Sequence, residues 1–199
     1  MKANEFLKNH GLRVEDVDSD KVLGFFSSEM KKGLEGKASS LAMIPTYSEA
    51  GHKIPEGESV IVLDAGGTNF RTCLVTFNNG VAEISDFQKM GMPGAKEEVS
   101  AKEFFSILAD SIERFMGKSK KIGFCFSYAA EITPDHDGIP LMFSKEIKAP
   151  EVIGKRLGKE LLSELSSRGY DTTGMSVSIV NDTVATLLAA KAAYKGDAS

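Results

Sequence analysis

Val60-Ile61-Val62-Leu63-Asp64-Ala65-Gly66-Gly67-Thr68-Asn69-Phe70-Arg71 is the stretch that decides the fold. Four consecutive apolar residues, three of them β-branched, read as a short strand buried on both faces. It ends in an acid and two glycines, and a second strand, Phe70 to Phe77, follows at once. The Asn78-Asn79-Gly80 turn then leads into a third strand from Val81 to about Gln88, which makes an antiparallel meander. Adjacent glycines let backbone N–H groups come close to an anion where a β-carbon would block approach. Thr68 and Asn69 add side-chain donors, and Asp64, at the end of a buried strand, can hold a hydrated magnesium. Together these suit the phosphates of a nucleotide. A hairpin turn accounts for Gly66-Gly67 taken alone, but not for the acid before them or the Thr-Asn after. Arg71 reads equally as a phosphate contact or a solvated strand residue.

Upstream, the pattern is helical. Asn4 is placed to cap a short helix that stops at Gly11, and a second helix is expected from about Ser19 to Leu34. Its apolar residues Val22, Phe25, Phe26, Met30 and Leu34 share one face. Residues 36–59 hold Gly, Ser, Pro and Tyr without periodicity and read as a long connecting loop. Downstream, Ser100 and Glu103 form a capping box for a helix to about Met116. A strand (Lys121 to Tyr128), a turn-rich stretch (Thr133 to Gly138) and a short strand (Ile139 to Phe143) come next. Pro150 opens a helix carrying Val152, Ile153, Leu157, Leu161, Leu162 and Leu165. The last strand, Met175 to Val180, runs into Asn181-Asp182 and an Ala-rich helix from Thr183 to about Tyr194. The order of elements makes a mixed α/β domain.

Three further signals carry chemistry. Asn181-Asp182 stands at a strand-to-helix junction, where α/β sheets expose ligands. Asp182 there either caps the helix or accepts a proton from a substrate hydroxyl. Ser144-Lys145 follows a short strand, and Ser127 ends the Phe124-Cys125-Phe126 run. Each of these is unremarkable alone: a solvated lysine, a polar strand terminus.

Composition excludes other classes. Across 199 residues, 42% are hydrophobic, 26% are charged and the net charge is −4, with no basic stripe of the kind that nucleic acid requires. No apolar run approaches membrane-spanning length, and the polar start carries no signal segment, so a cytoplasmic protein is expected. Cys73 and Cys125 are too few for a disulfide framework and read as buried free thiols. The scattered His10, His52 and His136 have no zinc spacing. Neither a G-x-x-x-x-G-K-[ST] loop nor a G-x-S-x-G elbow is present.

Taken together, the segments resemble the hexokinase family. The likeness begins at Glu29-Met30 and Gly33-Leu34 and continues through Ser40-Leu41-Ala42-Met43-Ile44-Pro45-Thr46-Tyr47. It includes Leu63 to Arg71, Gly123-Phe124-Cys125-Phe126-Ser127-Tyr128 and Val180-Asn181-Asp182-Thr183-Val184, all in the family's order. The resemblance implies an actin-like (ribonuclease H-like) ATPase fold, α/β with a mixed sheet. Residues 60–180 would be the smaller lobe, with 1–59 and 181–199 belonging to a larger lobe that is mostly missing. It also implies ATP-dependent phosphorylation of a hexose, glucose foremost, at its 6-hydroxyl, with ATP and magnesium (Mg2+) as cofactors.

By the same resemblance Asp182 is the general base, and Asn181, Ser127, Tyr128, Ser144 and Lys145 contact the sugar. Lys145 lies near the reacting hydroxyl. Asp64, Ala65, Gly66, Gly67, Thr68, Asn69 and Arg71 form the first phosphate loop, with Asp64 reaching magnesium through water. Ser144 stands where the family has threonine, Glu146-Ile147 replace Gly-Phe, and Ala129-Ala130 differ from the family's pair. Those changes bear on which sugar is taken. The family's second phosphate loop and adenosine segment lie beyond the Asn-Asp motif, so this chain is expected to be a truncated piece, inactive alone, whose partner is the remaining large lobe. A hexokinase-like module that binds sugar without turnover is the alternative, and the retained Asp182 argues against it.

Overall fold

The Val60 run forms β1 (Ser59–Ala65), which pairs antiparallel with β2 (Asn69–Asn78), and β2 pairs antiparallel with β3 (Val81–Gly91). These come from a computed structural model that describes residues 3–48, 56–143 and 147–193. β4 (Lys121–Phe126) lies parallel to β1 on its other side. β5 (Ala129–Ile132) and β6 (Gly138–Met142) form a separate hairpin, and β7 (Ser176–Val180) pairs parallel with β4. The sheet order is β3-β2-β1-β4-β7, half antiparallel and half parallel. The helices are α1 (Ala3–Asn9), α2 (Ser19–Leu34), α3 (Ala101–Ile112), α4 (Leu157–Ser167) and α5 (Asp182–Ala193). No described helix is long and apolar enough to cross a membrane. The chain divides into two units, Met1–Pro45 and Thr46–Ser199.

In the second unit, alternate residues of the strands, Ile61, Leu63, Phe70 and Phe124, are fully buried. They form one cluster with Phe104, Leu108 and Ile112 of α3 and Leu157, Leu161 and Leu165 of α4. Burying each such side chain contributes about 1.5–3 kcal/mol. Arg168, just past α4, ties the two helices together by donating to Asp110, Glu113, Glu164 and the Ser106 carbonyl. The expected Asn-Gly turn is present: Asn79 and Gly80 both have positive φ (53° and 73°), as a tight hairpin of right-handed twist requires. The Glu56 carboxylate accepts from both of their amides, at 2.7 and 3.0 Å. Between Thr72 and Leu74 the β2–β3 register slips, so that Cys73 opposes both Asp86 and Phe87.

Three elements differ from the sequence reading. The strand expected to run to Tyr128 ends at Phe126; after Ser127 and Tyr128 comes β5, whose four residues alternate too briefly to announce a strand. α3 ends at Ile112 and tightens into a 3-10 turn, Glu113–Phe115, before Gly117. The helix expected from Pro150 is two pieces, a 3-10 turn (Pro150–Val152) and α4, separated at Gly154 with φ 79°.

α4 is capped from a distance. Its N-cap position is Arg156, which offers no side-chain acceptor. The buried Asp137 carboxylate takes that part, accepting from the amides of Gly158 (2.7 Å) and Lys159 (3.1 Å), from Gly138 and from Arg156 Nε. A β-carbon on Gly158 would lie 3.0 Å from the Asp137 carboxylate and 2.9 Å from Val177, so glycine is needed there for room. Replacing Asp137 by Ala should strand these donors and cost roughly 1–3 kcal/mol, read as a lowered urea midpoint.

In the first unit, the apolar stripe of α2 is not the face that packs. Val22, Phe25, Phe26 and Leu34 are each more than half exposed. The packing face carries Glu29 and Gly33, against which the segment 39–43 lies. A β-carbon at Gly33 would sit 2.0 Å from the Leu41 carbonyl oxygen. Glu29 accepts from Lys32 Nζ at 2.6 Å, from the Ser40 amide at 2.8 Å and from the Ser39 and Ser40 hydroxyls. The Lys32 ammonium first, then the Ser40 donors, hold this carboxyl down at about 2. A carboxyl depressed on folding stabilises fully above its unfolded value, near 4.5, and that contribution is lost as pH falls towards about 2. The Ser40 amide resonance should therefore titrate near pH 2. In Glu29→Gln that titration should disappear.

Candidate active site

Parallel pairing brings the C-terminal ends of β1, β4 and β7 to one edge of the sheet. In register, Asp64 is beside Cys125 and Cys125 is beside Val180. The residues that follow, Ala65-Gly66, Ser127-Tyr128 and Asn181-Asp182, therefore line the same edge from three distant stretches of sequence. The Ser127 amide extends the ladder by donating to the Ala65 carbonyl at 3.1 Å.

The glycine turn is closed by the Gly66 amide donating to the Asn69 carbonyl at 3.0 Å, and the Thr68 carbonyl accepts from the Met92 amide at 3.0 Å. Asn69 Nδ2 donates to the Thr68 hydroxyl. Among the described residues, the amides of Gly67 and Thr68 have no acceptor. Gly66 does not have positive φ, so what calls for glycine in the conformation seen is room: a β-carbon there would come 3.3 Å from the Asn69 carbonyl oxygen.

Arg71 is neither loose nor solvated alone. It donates to Asp64 Oδ2 at 2.6 Å across the β1–β2 pair. Both side chains are more than a third exposed, so the pair contributes only about 0–1 kcal/mol.

Tyr128, expected beside a sugar, is 3% exposed. Its hydroxyl donates to the Gly66 carbonyl at 2.6 Å, and its ring sits among Phe126 and Phe143. Burial pushes the phenol up to about 12. Cys125 is only half-buried, whereas Cys73 is buried; both thiols are free. Burial pushes the Cys125 thiol up to about 11, the Asp64 and Asp182 carboxylates add to the shift, and the Ser127 hydroxyl opposes it. A thiol is therefore held neutral between two acids.

At the junction after β7 the helix cap is the residue before Asp182. Asn181 is the cap: its carbonyl accepts from the Ala185 amide, and its Oδ1 accepts from the Thr183 amide (3.1 Å) and hydroxyl (2.8 Å). Asp182 is the first residue of α5 and is exposed, with Oδ1 accepting from the Thr183 amide at 2.8 Å. Ser144 and Lys145 lie outside the described residues.

The sequence matches the hexokinase family profile over residues 3–192. The chain belongs to the hexokinase family. Human hexokinase-3 is 35% identical over 165 residues, which cover 80% of this chain and 18% of the human protein. Hexokinase-1 of Saccharomyces cerevisiae is 30% identical over 185 residues, covering 87% of this chain and 38% of the yeast protein. A solved hexokinase from Schistosoma mansoni, complexed with glucose, superposes with a TM-score of 0.63 at 28% identity, over 83% of this chain and 39% of that one. The chain thus spans less than half the length of these relatives, and the mixed sheet above is part of their actin-like fold.

Three features of this edge were not readable in advance: the Tyr128 hydroxyl bond, the capping by Asn181 and the position of Cys125. Only the pattern Asn-Asp-Thr carried a trace of the second, since Asn is a good cap. Asn181→Ala should cost about 1 kcal/mol in chemical denaturation. Asp182→Asn, which keeps an acceptor for Thr183, should cost no more than about 0.5 kcal/mol.

Proposed function

We propose that this chain supplies the general base and the first phosphate loop of an ATP-dependent hexose kinase that phosphorylates the sugar 6-hydroxyl. The observation that supports it is the shared edge: the glycine turn with its two acceptor-less amides, Ser127 and the exposed Asp182 carboxylate all follow adjacent strand ends. The Schistosoma mansoni relative was solved with glucose, so glucose is the first sugar to test. Residues 60–180 are assigned to the smaller lobe of the enzyme, with 1–59 and 181–199 in the larger one, and the setting is read as cytoplasmic.

In this reading the Gly67 and Thr68 amides donate to phosphate oxygens. Asn181, Ser127, Ser144 and Lys145 hold the sugar, with Lys145 offsetting charge near the reacting oxygen. The hydroxyl oxygen bonds to the γ-phosphorus, the bond from that phosphorus to the bridging oxygen breaks and ADP leaves. The hydroxyl proton goes to Asp182. A carboxylate is a weak base for an alcohol, so the proton moves late, once bonding to phosphorus has acidified the hydroxyl. For magnesium, Asp64 offers a half-exposed oxygen donor of the hard kind the ion prefers, with Arg71 as its present partner. Magnesium bound with ATP supplies charge neutralisation at the phosphates.

Asp182→Asn in the longest product of the gene should lower kcat by about 10²–10⁴ while melting hardly changes. A glucose-dependent ADP-release assay reads this, and full activity in the variant would leave Asp182 a helix residue only. Gly67→Val should block MgATP and spare glucose in calorimetric titration; unchanged MgATP affinity removes the turn from the site. The 199-residue chain alone should give no steady turnover, since misplacement of about 1 Å already costs about 10²-fold. Turnover within about tenfold of the longer product would overturn that expectation.

A further inference from the structure

We infer that Tyr128 is a positioning residue for the phosphate loop: its hydroxyl, bonded to the Gly66 carbonyl, fixes which way the peptides of the glycine turn face. The inference rests on the nucleotide reading above and assigns Tyr128 a part in it other than contact with sugar.

A trans peptide is planar, with its carbonyl and its N–H pointing in opposite directions. The Gly66 carbonyl and the Gly67 amide belong to one such plane. Holding the carbonyl down on Tyr128 at 2.6 Å therefore turns the Gly67 N–H away from the core. The same hydroxyl lies 3.4 Å from the Gly67 carbonyl, whose plane carries the Thr68 N–H. On the far side of the turn, the Met92 amide holds the Thr68 carbonyl in the same way. Three successive carbonyls thus face protein donors, and the two acceptor-less amides face outward.

The tether matters because of the residues it acts on. Glycine populates both signs of φ almost equally, so a peptide between two glycines turns over at little cost. Turned over, it would present a carbonyl oxygen to an anion instead of a donor. Nothing in the turn's own backbone prevents this at Gly66–Gly67, because the Gly66 amide bond to Asn69 fixes the preceding plane. Tyr128 itself has little freedom to let go: it is buried, and its ring packs at 5.1 Å from Phe126 and 5.2 Å from Phe143. It follows Ser127 directly, so the strand end that carries a sugar-facing hydroxyl also sets the phosphate-facing amides.

Tyr128→Phe removes the hydroxyl and keeps the ring contacts. The test is MgATP titration of the longest product of the gene, 15N-labelled at glycine and threonine, wild type and variant, followed at the Gly67 and Thr68 amides. In wild type these amides should shift on titration. In Tyr128→Phe, MgATP should bind about 5- to 10-fold more weakly, and both amides should show microsecond-to-millisecond exchange broadening before any ligand is added. Equal affinity within twofold overturns the inference and leaves the nucleotide reading standing, whatever happens to the melting temperature, since a purely structural tyrosine would move melting alone. No shift of either amide in wild type at saturating MgATP overturns the nucleotide reading and this inference together.

Discussion

Main-chain pairing of β1 with β4, parallel from Ile61 beside Ile122 to Ala65 beside Phe126, is the contact on which the site depends. β2 returns antiparallel from β1 and leaves the glycine turn at the β1 end. A parallel neighbour must come from a crossover, here β3 followed by α3, and it arrives with its own C-terminal end beside that turn. β7 repeats the arrangement through α4. Slipping β4 by one residue would put Phe124 and Phe126 on the outer face and carry Ser127 out of line with Ala65. The buried aromatic row, Phe70, Phe124 and Phe126, is what makes such a slip costly.

The parts of this fold that were legible in the sequence are those governed by local rules. The apolar run at Val60, the Asn-Gly turn and the Ser100–Glu103 box each specify their structure within a few residues. β1, the hairpin and the start of α3 accordingly appear as expected. α2 spans Ser19 to Leu34 as its periodicity implies, because helical spacing is also local; in the structure Asp18 caps it by accepting from the Lys21 amide. The candidate edge was legible for a different reason. Asp64, Ser127 and Asn181-Asp182 each stand where a strand pattern stops, and a mixed sheet gathers such stops.

What could not be read depends on partners distant in sequence. Asp137 looks like one acid among several in a turn, yet it caps a helix that begins at Leu157. Glu29 looks like a solvated helical acid, yet it is 7% exposed and gathers Ser39 and Ser40 around it. Tyr128 is expected beside a sugar along with Ser127, yet it is buried with its hydroxyl bonded to the Gly66 carbonyl, under the glycine turn. In α2, periodicity located the helix correctly but not its packed face, because the loop that docks there does so through hydrogen bonds and a glycine, which hydrophobicity does not register.

The slip in β3 opposite Cys73 has a consequence for how the molecule keeps to itself. β3 is the outermost strand, eleven residues long, with Val81, Ile84 and Phe87 exposed along it. An unbroken border of that length and character would template the addition of a foreign strand and so aggregation. Asp86 interrupts it with φ 51°. Arg114 holds the Asp86 carbonyl at 3.1 Å and Lys118 holds its carboxylate at 2.9 Å, so the interruption cannot iron out. An incoming strand would find a bent ladder flanked by two cations, and the sheet ends where the chain needs it to end.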